Sequence, residues 1–554
     1  MKVCGYLVDI HKRDIYPAII SVLNGKIDKI EKTIKAPDIY ILPGLIDAHI
    51  HIESSMVTPG AFAMAAVRHG TTGVVSDPHE IANVLGEKGV RFMINDGRKV
   101  PMKFWFGAPS CVPATIFETS GAKLDSVEIE SLLKLPEIKY LAEMMDFPGV
   151  ISDDKEVHRK VDIARKLGKP VDGHAPGLSG EMLRKYIAAG ISTDHECSTL
   201  EEAKEKISLG MKILIREGSA ARNLNSLKEL FNTNPEMVML CSDDLHPEML
   251  QARHINKIIA QLITEGFDAF DVIRSATINP VNHYKLEAGL LQPGQSADFI
   301  LVDNLRRMNV LETWIEGKKV FGNGKVLFRY TPDEAVNNFI CLPIDEASIR
   351  VYNQQGKIRI IEAFEGELLT KEIIKTSGTK IWVESDTDKD ILKIVVKDRY
   401  NDSPPVTGFI KGFGLKKGAF ASSVAHDSHN IISVGTNDKD IIRSVNEIIR
   451  LKGGLAISSG GLVESLQLNI GGIMTTRSCG EVARDYEKLN ELVKSLGSTM
   501  AAPFMTLSFM ALLVIPDLKI GDRGLFDVRK FNLVTLFVEF KSKPCRSDGN
   551  RTKI

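Results

Sequence analysis

The sequence predicts an α/β chain built on a TIM-like (β/α)8 barrel, with short β-rich segments on both flanks and a C-terminal α/β domain. Three observations lead there. Eight short apolar runs recur in the first half, most of them separated by segments of helical period. Histidines and carboxylates fall at the C-terminal ends of those runs, where a barrel of parallel strands builds its active site. The 554 residues exceed what one hydrophobic core usually serves, so additional domains are expected.

The elements follow in chain order. Residues 1–40 hold short apolar runs and an Asn24-Gly25 turn signal. Residues 41–285 form the expected barrel. Its strands are read at 39–47, 72–77, 103–108, 138–143, 170–174, 191–195, 211–216 and 237–243, with helical runs such as 153–167 and 179–189 between them. Leu167-Gly168-Lys169-Pro170 and Ala188-Ala189-Gly190 read as helix stops. An open doubly wound sheet is the alternative, but no Gly-x-Gly-x-x-Gly turn follows an early strand. Residues 286–340 return to β character, with Pro293-Gly294, an apolar run at Phe299–Val302, Gly317 and Gly322-Asn323-Gly324. Residues 345–554 read as the further α/β domain, with strands at 380–383 and 392–396 and helices at 439–451 and 480–496. The polar, basic stretch 541–554 reads as a frayed end.

Seventy basic residues balance 71 acidic ones, which removes any electrostatic reason to invoke nucleic acid or an anionic membrane. Seven cysteines at 4, 111, 197, 241, 341, 479 and 545 are scattered and without a CxxC, the usage of a reduced compartment. Residues 1–10 carry Lys2 and Asp9 and lack the apolar core of a signal peptide. The longest apolar stretch, 503–516, falls short of the ~20 residues that span a bilayer. A cytoplasmic enzyme is expected.

The strand ends carry the chemistry. His49 and His51 lie two apart, so in a strand both imidazoles point to one side. Alone, the pair also fits two buried histidines satisfied by hydrogen bonds. Strand four ends in Glu143, strand five in His174, strand six in His195, and strand eight in Asp243 and Asp244. Four of only 13 histidines thus converge on one barrel mouth. Four imidazoles with several carboxylates exceed one tetrahedral ion and suit two ions sharing a bridging carboxylate. Ligation by nitrogen and oxygen without thiolate is compatible with zinc, iron, manganese or cobalt. Two such ions acidify a water enough to give hydroxide near neutrality. Asp243 is the candidate to shuttle its proton while also contacting metal; capping the next helix is the other reading. Asp244 either bonds a substrate nitrogen or caps.

Two loops at the same face are candidate substrate readers. Asp77-Pro78-His79-Glu80 follows strand two and Pro109-Ser110-Cys111 follows strand three, which puts His79 and Ser110 forward as substrate contacts. Glu80 reads either as a group that bonds substrate or transfers a proton, or as an acidic residue at a helix N-terminus. Cys111 as a nucleophile would duplicate the hydroxide. His426-Asp427-Ser428-His429-Asn430 reads either as an interdomain loop or as a segment reaching the barrel mouth, which leaves the role of His426 and His429 open. Gly453-Gly454 and Ser458-Ser459-Gly460-Gly461 are turns without the Lys-Ser/Thr of a phosphate loop.

Residues 43–59 (PGLIDAHIHIESSMVTP) with the later single histidines and late aspartate resemble the amidohydrolase superfamily. Together with residues 70–86 (GTTGVVSDPHEIANVLG), 173–180 (GHAPGLSG), 279–303 (NPVNHYKLEAGLLQPGQSADFILVD) and 425–435 (AHDSHNIISVG), they resemble its bacterial and archaeal adenine deaminases. The resemblance implies that the two flanks join into one small β-sandwich. It implies hydrolysis of adenine to hypoxanthine and ammonia at a dinuclear centre, with manganese or iron as the usual ions and zinc as a further option. Carried over, the ligand set is His49, His51, Glu143, His174, His195 and Asp243. Glu143 stands where many relatives have a carbamylated lysine, and Lys139, four residues earlier, is not that bridge. Adenine is then the small-molecule partner, and a homo-oligomer is common for such barrels. Two rival functions are another amidohydrolase reaction, on a cyclic amide or an N-acetyl group, and a non-catalytic assembly protein on a decayed barrel.

Overall fold

The computed structural model describes residues 1–219 and 221–538, so the expected frayed tail at 541–554 lies outside the described residues. Eight parallel strands make the barrel: Leu45–Ile50, Thr71–Ser76, Lys103–Ala108, Ile138–Met144, Val171–Gly173, Thr193–Asp194, Lys212–Arg216 and Val238–Cys241. The fifth strand joins the sixth through the Val171–Ile191 bridge and a bond from the Ser192 amide to the Val171 carbonyl, 2.9 Å. The barrel closes at the metal-ligand candidates themselves. The Asp243 amide donates to the His49 carbonyl at 3.0 Å, and the His51 amide donates to the Asp243 carbonyl at 3.3 Å. Closure therefore fixes the first and eighth strand ends against each other.

The apolar run at 39–47 is two strands, not one. Tyr40–Pro43 pairs with Phe299–Val302 and with Lys2–Asp9 outside the barrel, and Leu45–Ile50 begins the barrel. Gly44 lies between them, where a Cβ would come within 2.1 Å of the Thr72 hydroxyl. Only a glycine lets the chain pass that close to strand two while changing sheets.

The flanks share one eight-stranded sheet. Its order runs Lys325–Val326, Lys318–Gly322, Val310–Ile315, Phe299–Val302, Tyr40–Pro43, Lys2–Asp9, Asp14–Leu23, Lys26–Lys32. It carries its own core, including Leu7, Ala18, Ile20, Ile41, Phe299 and Trp314.

The C-terminal residues build a mixed sheet of nine strands, from Thr370–Thr376 at one edge to Leu462–Gln467 at the other. Helix Asp438–Leu451 covers it with the stripe Ile441, Val445 and Ile448, and the Asn437 side chain caps its start by accepting from the Asp440 amide. The largest core runs without interruption from barrel residues such as Ile50, Phe106 and Leu141 to Ile394, Phe420 and Phe509. Main-chain bonds also cross: the Thr475 amide donates to the Met56 carbonyl at 2.9 Å. This packing sets residues 426–430, between strands Ala419–Ser422 and Ile431–Gly435, over the barrel mouth. Among the described residues no helix is long and apolar enough to cross a membrane.

Candidate metal centre and active site

The strand-one pair fits metal ligation by its tautomers. A carbonyl only accepts, so His51 Nδ1, 3.1 Å from the Asp77 carbonyl oxygen, carries the proton. In the neutral ring His51 Nε2 then carries the lone pair, and it lies 3.2 Å from His49 Nε2. Two imidazole nitrogens this close share either a proton or a cation. Asp243 Oδ1 stands 3.2 Å from His51 Nε2 and 3.6 Å from His49 Nε2.

Glu143 spans the remaining ligands. Its Oε1 is 3.3 Å from His51 Nε2, and its Oε2 is 2.8 Å from His174 Nδ1 and 3.2 Å from His195 Nε2. One carboxylate thus offers an oxygen to each of two groups of imidazoles, which is what a bridging ligand requires. Ligand atoms of His49, His195 and Asp243 lie within 4.8 Å of one another, as do those of Glu143, His174 and His195, so the donor set fits divalent metal.

The supports of these ligands come from the same strand ends. Asp194 accepts the Ala175 amide at 2.8 Å and the Lys206 ammonium at 3.0 Å, and Lys206 also donates to the Ala175 carbonyl at 2.7 Å. This fixes the segments bearing His174 and His195 together. Arg216, at the end of strand seven, donates to Asp243 Oδ2 at 2.6 Å and forks across both oxygens of Glu196 at 2.5 and 2.8 Å. Glu196 Oε1 approaches His195 Nε2 at 3.3 Å. Neither Arg216 nor Glu196 was anticipated as a site residue; both sit at strand ends, and that position was their signal.

Electrostatics follow from burial and these contacts. Burial alone would push the Asp243 carboxyl up, but the Arg216 charge and the two imidazoles hold it well below the usual range. Burial opposes ionisation of Glu143 too, and His195, His174 and His51 outweigh it.

The candidate substrate readers divide. His79 and Glu80 begin helix His79–Leu85 and line the same cavity as Glu143, Asp243 and Asp244. His79 Nδ1 lies 3.1 Å from Asp77 Oδ2 and 3.4 Å from Glu143 Oε1. Asp244 accepts the Ser54 hydroxyl at 2.5 Å. Ser110 does not reach the cavity: its hydroxyl donates to the Glu143 carbonyl at 2.5 Å, which turns it to the support of strand four. Cys111 packs beside Met144, and burial pushes its thiol up, away from a nucleophile. Lys139 points elsewhere, 4.0 Å from Glu287.

The 426–430 segment reaches the barrel mouth. His426 Nδ1 donates to Glu80 Oε1 at 2.5 Å, and its ring stacks on Phe509 with centroids 5.1 Å apart. His429 Nδ1 accepts the Ala425 amide at 3.2 Å, so its Nε2 carries the proton and donates to Glu80 Oε2. Both carboxylate oxygens of a barrel residue are therefore held by the C-terminal domain. Burial overrides Glu80 at His429 and holds that imidazole down at about 4, whereas the Glu80 charge outweighs burial at His426 and raises it to about 9. Met145, Leu368, Phe509, Leu512 and Val514 supply the apolar wall of the cavity. The last three come from the apolar stretch 503–516.

Comparison with known proteins agrees with this geometry. Residues 40–320 match the amidohydrolase family, and residues 367–532 match the adenine deaminase C-terminal domain. The adenine deaminase of Methanosarcina mazei is 51% identical over 552 residues, covering 97% of this chain and 100% of that protein. That of Methanosarcina acetivorans is 50% identical over 97% of this chain and 100% of its own length. That of the bacterium Salinibacter ruber is 49% identical over 97% and 99%. The chain belongs to the amidohydrolase family and, within it, to the adenine deaminases.

Proposed function

We propose that the protein hydrolyses adenine to hypoxanthine and ammonia, with His49, His51, Glu143, His174, His195 and Asp243 holding two divalent cations, manganese or iron before zinc. The observation that carries this reading is Glu143, whose two oxygens face two separate imidazole groups inside a cavity walled by carboxylates and apolar side chains. Bound divalent ions would supply a water acidic enough to attack a ring carbon near neutrality.

The chain's own residues do the rest. Asp243, fixed at Oδ2 by Arg216, accepts a proton from the attacking water and returns it to the departing amine. Asp244 accepts from the exocyclic amino group of the substrate. Glu80, clamped by His426 and His429, faces a ring nitrogen and manages its proton. His79 lines the ring's path from the metal-ligand cluster to the C-terminal domain. Water and adenine together yield hypoxanthine and ammonia with no further reactant.

The test is adenine-dependent ammonia release by protein loaded with manganese or iron, beside a metal count. Turnover with about two ions per chain is expected, and Glu143→Gln should lower occupancy and turnover together. Inert adenine alongside cleavage of a dihydropyrimidine or an N-acetyl sugar would replace this reading with another amidohydrolase reaction. No bound metal after growth in supplemented medium would instead favour a non-catalytic role.

A further inference from the structure

Among the described residues Asp427 is the one C-terminal-domain carboxylate in the cavity, and the chemistry above does not use it. It is 4% exposed, lines the cavity, and its Oδ2 has no hydrogen-bond partner. A buried carboxyl oxygen without a donor is costly, and a bound ligand is the natural source of one. Among the described residues nothing supplies that donor. The nearest basic group, His79 Nε2, is 4.0 Å from Oδ1, and Glu80 and Glu143 on the same cavity are themselves acidic. The segment is held on both sides of Asp427, because His426 and His429 are both bound to Glu80.

One imidazole links it to the reaction centre. His79 lies between the two, with Nδ1 at 3.4 Å from Glu143 Oε1 and Nε2 at 4.0 Å from Asp427 Oδ1. Asp427 thus stands one imidazole and two contacts beyond the bridging carboxylate. A purine presented with its six-membered ring to the metal ligands places its five-membered ring at that end. Adenine has two kinds of N–H donor. The exocyclic amine is at the reacting carbon, near Asp243 and Asp244. The other is the N–H of the five-membered ring, and it exists only while that ring is unsubstituted.

Resting on the adenine reading above, we infer that Asp427 is a specificity-determining residue that accepts the five-membered-ring N–H of a free purine base, and so selects free bases over N-substituted purines such as nucleosides. A substituent there removes the donor and leaves the carboxylate buried without a partner. Sites built around such a bond reject the analogue that lacks it by factors of about 10⁴ or more.

The experiment compares metal-loaded wild type with Asp427→Ala and Asp427→Asn on adenine, 9-methyladenine and 7-methyladenine, with thermal midpoints and metal counts for each. Wild type should prefer adenine over at least one methylated base by more than about 100-fold in kcat/KM. In Asp427→Ala the adenine value should fall by about 100-fold or more while that for the methylated base stays within threefold, so the preference collapses. Asp427→Asn preserves shape and one acceptor and should lie between. The midpoint and the metal count should not change. Unchanged discrimination in folded Asp427→Ala overturns the inference, as does loss of a metal equivalent, which would make Asp427 a ligand alongside His79 and Glu80. Wild type inert towards adenine would overturn the function and this inference together, whereas active wild type with an indifferent variant overturns only the inference.

Discussion

Arg216 shows how much of this site depends on one side chain. Its guanidinium is buried between Glu196 and Asp243, and among the described residues no other Lys or Arg bonds either carboxylate. Removing it leaves two buried charges facing each other, which costs about 3–5 kcal/mol in comparable buried pairs. Arg216→Met should therefore lower the thermal midpoint and cut adenine turnover at least 100-fold, read by melting and by ammonia release. Turnover within threefold of wild type would show that Asp243 needs no fixing at Oδ2. His49, His51, Glu143, His174, His195 and Asp243 stand out in the sequence, because each is a chemically unusual residue at a place where an ordinary strand would be apolar; this arginine does not. Ser110 is the opposite case: a hydroxyl is small, and the nearby Glu143 carbonyl takes its donor.

At the scale of elements, the barrel was legible because most strands are short apolar runs closed by a polar residue. The helical runs were legible because their stops are glycines. What sequence periodicity did not show is where one sheet ends and another begins in an unbroken apolar run, as at Gly44. Close approach of neighbouring strands also sets how the ligands meet. Gly173 directly precedes His174, and a Cβ there would come within 2.3 Å of the Thr193 carbonyl oxygen. Gly173→Ala must push strands five and six apart, at about 1–3 kcal/mol. Both His174 and His195 would shift from Glu143. The variant should fold with a lowered midpoint and release metal faster on dialysis against chelator. Metal retention equal to wild type would mean the strand ends move without their ligands.

At the scale of the whole molecule, the C-terminal domain is part of the active site rather than an appendage. It grips Glu80 and walls the cavity, and its core continues into the barrel. The contact also carries a pH signature away from the metal ligands. Glu118 is buried at this junction, and burial, reinforced by the Asp427 charge, pushes its carboxyl up to about 8. Its folded value exceeds its unfolded one. Between about pH 4.5 and 8 the folded chain therefore holds a proton that the unfolded chain releases, and Glu118's contribution to stability falls as pH rises through that window. Glu118→Gln stays neutral throughout. Its stability relative to wild type should rise from pH 5 to pH 8 by on the order of 1–3 kcal/mol, read from melting at the two values. A constant difference would place the Glu118 titration outside that range.

The amino-acid sequence by itself determined the barrel, the six converging metal-ligand candidates and the family. Strand periodicity and a histidine or acid at a strand end are local properties, readable within a few residues. Tertiary structure decided the rest: that Arg216 ties Asp243 to Glu196, that His426 and His429 clamp a glutamate nearly 350 positions earlier, and that Asp427 faces the cavity with an oxygen unused. Those relations depend on which elements pack together, and hydrophobic burial that joins two domains into one core is blind to the order of residues along the chain.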